Sequence, residues 1–308
     1  MEDFVARPDL VSRERLRALS RKSDGPGLRR LAAHLGALAV TGTGVWAASA
    51  TLWVVPAMVV HGIVLVFLFC PLHEAVHGTA FRTRWLNERT ADLCGFLTVY
   101  PRIFYRCFHF AHHRYTQDPR RDPELAVPKP RTRREYLVWI SGWYYWTGKF
   151  RGLFRYAFSG RARDAHVPER MEKPLVMESR LVLGGYGAAV LFGIVVDPLL
   201  PLMYWAVPAL LGQPFLRMYL IAEHTGCAQT GDMLQNVRTT LAGPLVRWLA
   251  WNMPFHTEHH TFPSVPFHQL PAMHQEIKAH LVHTAPSHPA FNQWVWRDLA
   301  PGRAVTAR

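Results

Sequence analysis

Cysteine is scarce in this 308-residue chain: Cys70, Cys94, Cys107 and Cys227 stand at no paired spacing. That excludes a disulfide scaffold, and no Cys-x-x-Cys pair is present to hold a rubredoxin-type iron. A dinucleotide fingerprint, a fused haem domain and an internal repeat of fixed period are not recognisable either. No cleavable signal sequence is apparent, because the first thirty residues are polar and charged. The most informative shortage is of charge. From about Leu31 to Cys70, and again from about Leu181 to Ala222, Arg217 is the only Lys or Arg. The first block is broken only by small or polar residues around Thr41 to Thr51, the second at Asp197-Pro198.

Each block holds about 40 residues, enough for two helices of roughly 20 that cross the hydrocarbon core. Uncharged runs of this length are rare in water-soluble chains, which argues against four buried helices of a soluble protein. The expected fold is therefore all-α: an integral membrane protein with four transmembrane helices in two hairpins, plus interfacial helices and a cytoplasmic histidine-rich cap. We read a single domain over 1–308, with 1–30 as a cytoplasmic leader and 276–308 as a cytoplasmic tail.

The net charge of +13 is distributed unevenly. Of 35 Lys and Arg, eight precede Leu31, twenty lie between Arg82 and Arg180, and six follow the second block. The hairpin turns near Thr51 and Asp197 carry none. This is the positive-inside pattern, not the compact basic face of a nucleic-acid binder. It predicts that both termini and the central loop face the cytoplasm. A short amphipathic helix is expected around Arg13 to Leu19 and interfacial helices over Trp85 to Tyr100 and Asp232 to Trp251. The aromatic stretch Glu135 to Phe158 reads as a helix at headgroup level or a fifth, shallow segment. Arg161 to Lys173 reads as a surface loop, and the last forty residues as a small cap.

Nine of the 17 histidines fall into a pattern. "HEAVH" gives His73 and His77. "HFAHH" gives His109, His112 and His113, and "HTEHH" repeats that spacing with His256, His259 and His260. His224, in "AEHTG", ends the fourth expected span. Residues at i, i+3 and i+4 share one side of a helix, so each cluster offers a face of imidazoles. All nine lie at the cytoplasmic ends of spans two and four or in the segments that follow them. HEAVH also fits the zinc-protease pattern H-E-x-x-H, with Glu74 as base. A zinc hydrolase, however, uses about three protein ligands, and Asp197, read as the acidic third ligand near a later span, falls at the outer turn. A metal transporter or sensor would spread its ligands through the spans. Nine imidazoles suit two metal ions with four or five nitrogens each, and imidazole alone does not choose between iron, copper, zinc and nickel.

The three boxes HEAVH, HFAHH and HTEHH resemble the membrane-bound fatty acid desaturase and hydroxylase superfamily over about residues 30 to 275. The element "EHTG" is similar to the Glu-His-x-Gly of membrane alkane hydroxylases and carotenoid ketolases. "WNMPFHTEHHTFPSVPFHQLP" resembles a bacterial branch of fatty acid desaturases and hydrocarbon oxygenases that includes makers of terminal alkenes. The resemblance implies a non-haem centre of two iron ions held by the nine histidines, using dioxygen and two electrons to attack an unactivated C–H bond. Desaturation of a fatty acyl chain is the expected outcome, with hydroxylation or alkene-forming decarboxylation as alternatives. Electrons are expected from a separate ferredoxin- or rubredoxin-type protein and its reductase.

Ligating histidines usually pass their second N–H to a carboxylate or carbonyl. Glu74, Glu223 and Glu258, each beside a histidine of the set, and Asp118 and Asp122, after the second box, are the candidates for that role. Arg217, an intramembrane charge, is a candidate for the substrate head group. His268 and His274 are the remaining histidines most apt to join the site, and Asn236 and Arg238 are polar residues without an assigned role.

Overall fold

The structure, a computed structural model, describes residues 7–299. Residues 1–6 of the expected leader and 300–308 of the expected tail lie outside the described residues. Four helices are long and apolar enough to cross a membrane: Asp24–Ala48, Val54–His77, Glu169–Val195 and Leu199–His224. They match the two expected hairpins, but the first and third begin earlier, at Asp24 and Glu169. The first start is fixed by the Asp24 carboxylate, which accepts from the backbone N–H of Thr83 at 2.8 Å and its hydroxyl at 2.7 Å. The first and third spans leave Val40, Trp46, Val190 and Ile194 exposed, an apolar surface that lipid would cover.

The second span changes pitch at Pro71, which has no N–H to give to Phe67. The Phe67 carbonyl instead accepts from Cys70 N–H at 2.9 Å, and the helix resumes over Phe69–His77. Gly78, at φ 69°, then ends it directly after His77. Spans two and four cross with their backbones in contact at Gly62 and Gly212. A Cβ on Gly62 would lie 1.9 Å from the Pro208 carbonyl oxygen, so only glycine fits. Without a hydrophobic drive between helices in lipid, this close approach and polar ties hold the spans. His61 supplies two such ties, to Thr41 Oγ1 at 2.8 Å and the Tyr204 carbonyl at 3.1 Å.

Helices over Arg13–Leu19 and Arg84–Leu97 form as expected, while the aromatic stretch divides into Arg133–Ile140 and Trp143–Ser159 at Gly142. Two expectations are corrected. Residues 169–173 of the expected loop are the first turns of the third span, with Glu169 and Glu172 favourably placed at its N-terminus. The expected helix over Asp232 to Trp251 is broken into Met233–Asn236, an extended Thr239–Thr240 and Pro244–Leu249. The break occurs because Thr239 and Thr240 pair in parallel with Thr284 and Ala285, the one strand pair among the described residues. The C-terminal cap docks through helix His288–Asp298, where Asn292 Nδ2 donates to the Met218 carbonyl of span four at 2.8 Å.

Candidate metal centre

Spans two and four both end on the side where span one begins, which brings His77 and His224 to one end of the bundle. Helix Arg102–Tyr115 carries the second box across that end, and the short helix His256–Thr261 closes it with the third. All nine histidines converge there and separate into two sets. His73, His77, His109, His113 and His259 form one; His112, His224, His256 and His260 form the other. Within each set the ligand nitrogens all lie within 4.8 Å of one another. The facing helices set the division. In the second box His109 and His113, four apart, serve the first set while His112 turns to the second; in the third box His256 and His260 serve the second set while His259 turns back.

The nitrogen edges fit metal ions. His77 and His109 approach Nε2 to Nε2 at 2.8 Å, His109 and His113 at 3.0 Å, His113 and His259 at 3.1 Å, and His224 and His256 at 3.1 Å. Ligands at right angles around an ion at about 2.1 Å are separated by about 3.0 Å. Facing lone pairs at that distance repel unless a cation lies between them. Several buried ring nitrogens, including both of His73 and Nε2 of His260, have no hydrogen-bond partner among the described residues. Burial lowers the pKa of His109, His113, His256, His259 and His260, and neighbouring histidines lower it further, so these rings stay neutral and ready to ligate. His112 differs. Burial opposes its charge, but Glu124 and Asp122 outweigh it and raise the pKa to about 9.

The carboxylates divide by geometry. Asp122 accepts from His112 Nδ1 at 3.0 Å, and Glu223 Oε1 lies 3.6 Å from His256 Nδ1. Glu74, Glu258 and Asp118 do not contact the nine histidines among the described residues, contrary to the sequence expectation. Glu74 is fully buried and accepts from the Phe267 N–H at 2.9 Å. Glu258 accepts from His274 Nδ1 and the Thr239 hydroxyl. Asp118 binds the Arg120 N–H and the Arg121 guanidinium. Adjacent helix residues point about 100° apart, so an acid next to a ligand in sequence faces away from it. His274 meets Glu258, whose carboxylate lies off the nine histidines, and His268 lies against Phe267.

Three residues without a role in the sequence reading position His224. Its Nδ1 is 3.1 Å from the Asn236 carbonyl. Gln117 Nε2 donates to the His224 carbonyl at 2.8 Å, and Arg238 donates to the carbonyls of Ala222 and Thr225 on either side of it. Gln117 is held at φ 65°, a costly backbone for this side chain and a signal of local constraint. Nothing in the sequence marks that turn.

A cavity of about 600 Å³ opens beside the histidines, lined by Phe69, Tyr100, Phe104, Tyr105, Lys149, Arg217 and others. It shares Phe69, Tyr105, Glu124, Leu220 and Glu223 with a small void against His73, His109, His112 and His256. Burial pushes the Lys149 ammonium well below its usual range, and Arg217 adds to the effect.

A model of the fatty acid desaturase family matches residues 52–292. The chain belongs to the fatty acid desaturase family. A sphingolipid delta(4)-desaturase of Drosophila melanogaster is 26% identical over 250 residues, 78% of this chain and 70% of the relative. A sphingolipid delta(4)-desaturase/C4-monooxygenase of Homo sapiens is 27% identical over 73% of this chain and 64% of its own. A zeaxanthin 4-ketolase of Chlamydomonas reinhardtii is 26% identical over 74% of this chain and 46% of its own. This desaturase-family chain is thus an integral membrane oxidoreductase of the lipid desaturase or hydroxylase type, with histidine clusters suited to metal binding. The family match and the five converging imidazoles do not favour reading HEAVH as a protease motif with Glu74 as hydrolytic base.

Proposed function

We propose that the chain is an oxygen-dependent di-iron oxidoreductase that acts on an unactivated C–H bond of a fatty acyl chain, with desaturation as the outcome. The observation that supports it most is the juxtaposition of five and four imidazole nitrogens with an aromatic cavity. Two irons, when bound, supply with dioxygen and two external electrons the oxidising power to remove hydrogen from such a bond. His73, His77, His109, His113 and His259 hold one ion; His112, His224, His256 and His260 hold the other. Asp122 fixes the His112 ring, and Glu223 is placed to do the same for His256. Phe69, Tyr105 and Leu220 line the junction that presents the acyl chain to the histidines, with Glu124 and Glu223 on the same wall.

The lysine and arginine distribution supports placing the histidines and both termini on the cytoplasmic side of a bacterial inner membrane. The same basic face suits an acidic ferredoxin- or rubredoxin-type donor, steered by charge and recharged by its reductase. Hydroxylation is the second reading, favoured by the relatives named as a C4-monooxygenase and a 4-ketolase. Metal analysis of the purified protein, with mass spectrometry of lipids and volatiles from an expressing host, tests the proposal. About two irons per chain and a new acyl double bond are expected. An added oxygen selects hydroxylation and a shortened terminal alkene selects decarboxylation, while a single tightly bound zinc overturns the di-iron reading.

A further inference from the structure

The third span carries none of the nine histidines, yet a carboxylate, Glu178, lies within it. An acid inside a membrane span is costly and faces a partner in the bundle. Here the partner is the start of helix Arg102–Tyr115. Glu178 Oε1 accepts from the Ile103 N–H at 2.8 Å, and Oε2 accepts from the Ile103 N–H at 3.0 Å and the Phe104 N–H at 3.2 Å. The first N–H groups of a helix have no carbonyl one turn back, and the residue before this helix, Pro101, has no side-chain acceptor to offer them. The carboxylate also meets the positive end of the helix dipole. Arg102 bonds to Asp92 at 2.5 Å, which leaves the Glu178 oxygens to the backbone. Leu175 and Val176 of the same span are buried beside this contact, and Ile103 and Phe104 pack against them.

Both nitrogen sets depend on how this helix is turned. It gives His109 and His113 to the five-nitrogen set and His112 to the four-nitrogen set. A rotation about its axis, or a slide along it, therefore displaces rings in both sets at once. Its C-terminal end is held by Asp122, which meets His112 and the Gln117 N–H. Its N-terminal end is held by Glu178, and Phe104 lies five residues, about 7.5 Å of helix rise, before His109. A helix tied at both ends has one rotation and one height, which a ligand set needs to within about 0.5 Å.

We propose that Glu178 is a positioning residue of the metal centre: from a span that supplies no ligand, it sets the rotation and height of helix Arg102–Tyr115 and so aims the second histidine box into both sets. This rests on reading the histidines as a two-metal site and not on the reaction proposed for it. A cap that stabilises the fold without aiming the rings is the rival role.

Cobalt(II) titration of the full chain, purified in detergent and stripped of metal, separates the two roles, because the visible spectrum of the bound ion reads its coordination. Glu178→Ala should weaken both bound ions by about tenfold or more, the scale of a lost contact behind the ligands, and alter the spectrum. Glu178→Gln should weaken them less, since its amide keeps one oxygen acceptor at the same reach. The control is Thr132→Ala, which removes the cap on the Glu135 N–H from Arg133–Ile140, a helix without histidine. It should lower the melting temperature as a lost cap does while leaving cobalt affinity within about threefold of wild type. Wild-type affinity in Glu178→Ala, weakening confined to one ion, or equal weakening in Thr132→Ala would overturn the role. If Glu178→Ala does not fold, Glu178→Gln decides alone: weaker binding of both ions sustains the role and wild-type binding overturns it. A wild-type chain that takes up no cobalt would reject the two-metal reading and this role with it, whereas the expected cobalt pattern without any oxidised product would reject only the proposed reaction.

Discussion

The two nitrogen sets are built differently. In the four-nitrogen set three rings have outer hydrogen-bond partners: Asp122 on His112, the Asn236 carbonyl on His224, and the Thr116 hydroxyl 3.3 Å from His260 Nδ1; for His256, Glu223 lies 3.6 Å from Nδ1, beyond a hydrogen bond. In the five-nitrogen set, His73 and His259 have buried Nδ1 atoms with no hydrogen-bond partner among the described residues. Those rings are aimed instead by helix packing, His73 lying against Phe69, Tyr105 and His109. Orientation by hydrogen bond fixes a tautomer and raises ligand basicity; orientation by packing fixes only position. The set with fewer ligands thus has three rings whose tautomer and basicity the protein controls, while its fourth, His256, borders the small void beside the cavity and has no hydrogen bond at Nδ1 among the described residues.

Removing a ligand should have the largest effect and is the test of the division itself. His77→Ala and His260→Ala should each lower activity by more than about 100-fold, since losses in the outer layer already cost about 10–100-fold. Each should also remove close to one metal ion per chain, read by elemental analysis. Loss of both ions from either variant would show that the sets are one cooperative cluster. Full activity after either change would refute the assignment of that ring as a ligand.

The next test contrasts two neighbouring acids. Asp122→Asn should cost about 10–100-fold in activity or metal affinity, because His112 loses the anion that orients it. Asp118→Asn, four residues earlier, removes only contacts to Arg120 and Arg121 and should stay within about threefold. The comparison inverts if Asp118→Asn proves the more damaging change, read from metal content after dialysis against a chelator.

That pair also shows how much could be read from the residues alone. The spans, their pairing and all nine histidines follow from local signals: long uncharged runs, the sidedness of lysine and arginine, and 3–4 spacing. The allocation of rings between sets does not follow: the 3–4 spacing puts each triplet on one broad side of its helix, and only the facing helices divide it between the two sets. The outer partners do not follow. Adjacency misled at Glu74 and Glu258, which point away from the ligands beside them. Asp122 reaches His112 only because the chain reverses at Gln117, and Asn236 reaches His224 through a backbone carbonyl that has no signature in the side chain. The broken helix after Asp232 was hidden similarly, since its strand partner lies at Thr284 and Ala285, more than forty residues on.

Gln117 offers the smallest and most discriminating effect. Its side chain donates to the His224 carbonyl, its backbone N–H donates to Asp122 Oδ2 at 2.8 Å, and its φ of 65° is one that glycine adopts freely. One residue thus ties together the outer partners of His112 and His224. Gln117→Gly removes the side-chain contact but relieves the backbone, worth about 1 kcal/mol; Gln117→Ala removes the contact and keeps the strain. If the contact to His224 is what matters, both variants should lose about three- to tenfold in activity, with the glycine protein melting at the higher temperature. If the turn geometry that presents Asp122 matters more, the glycine variant should retain near wild-type activity and only the alanine variant should fall. Activity and melting temperature measured together on the two proteins decide between a site tuned through His224 and one tuned through the turn.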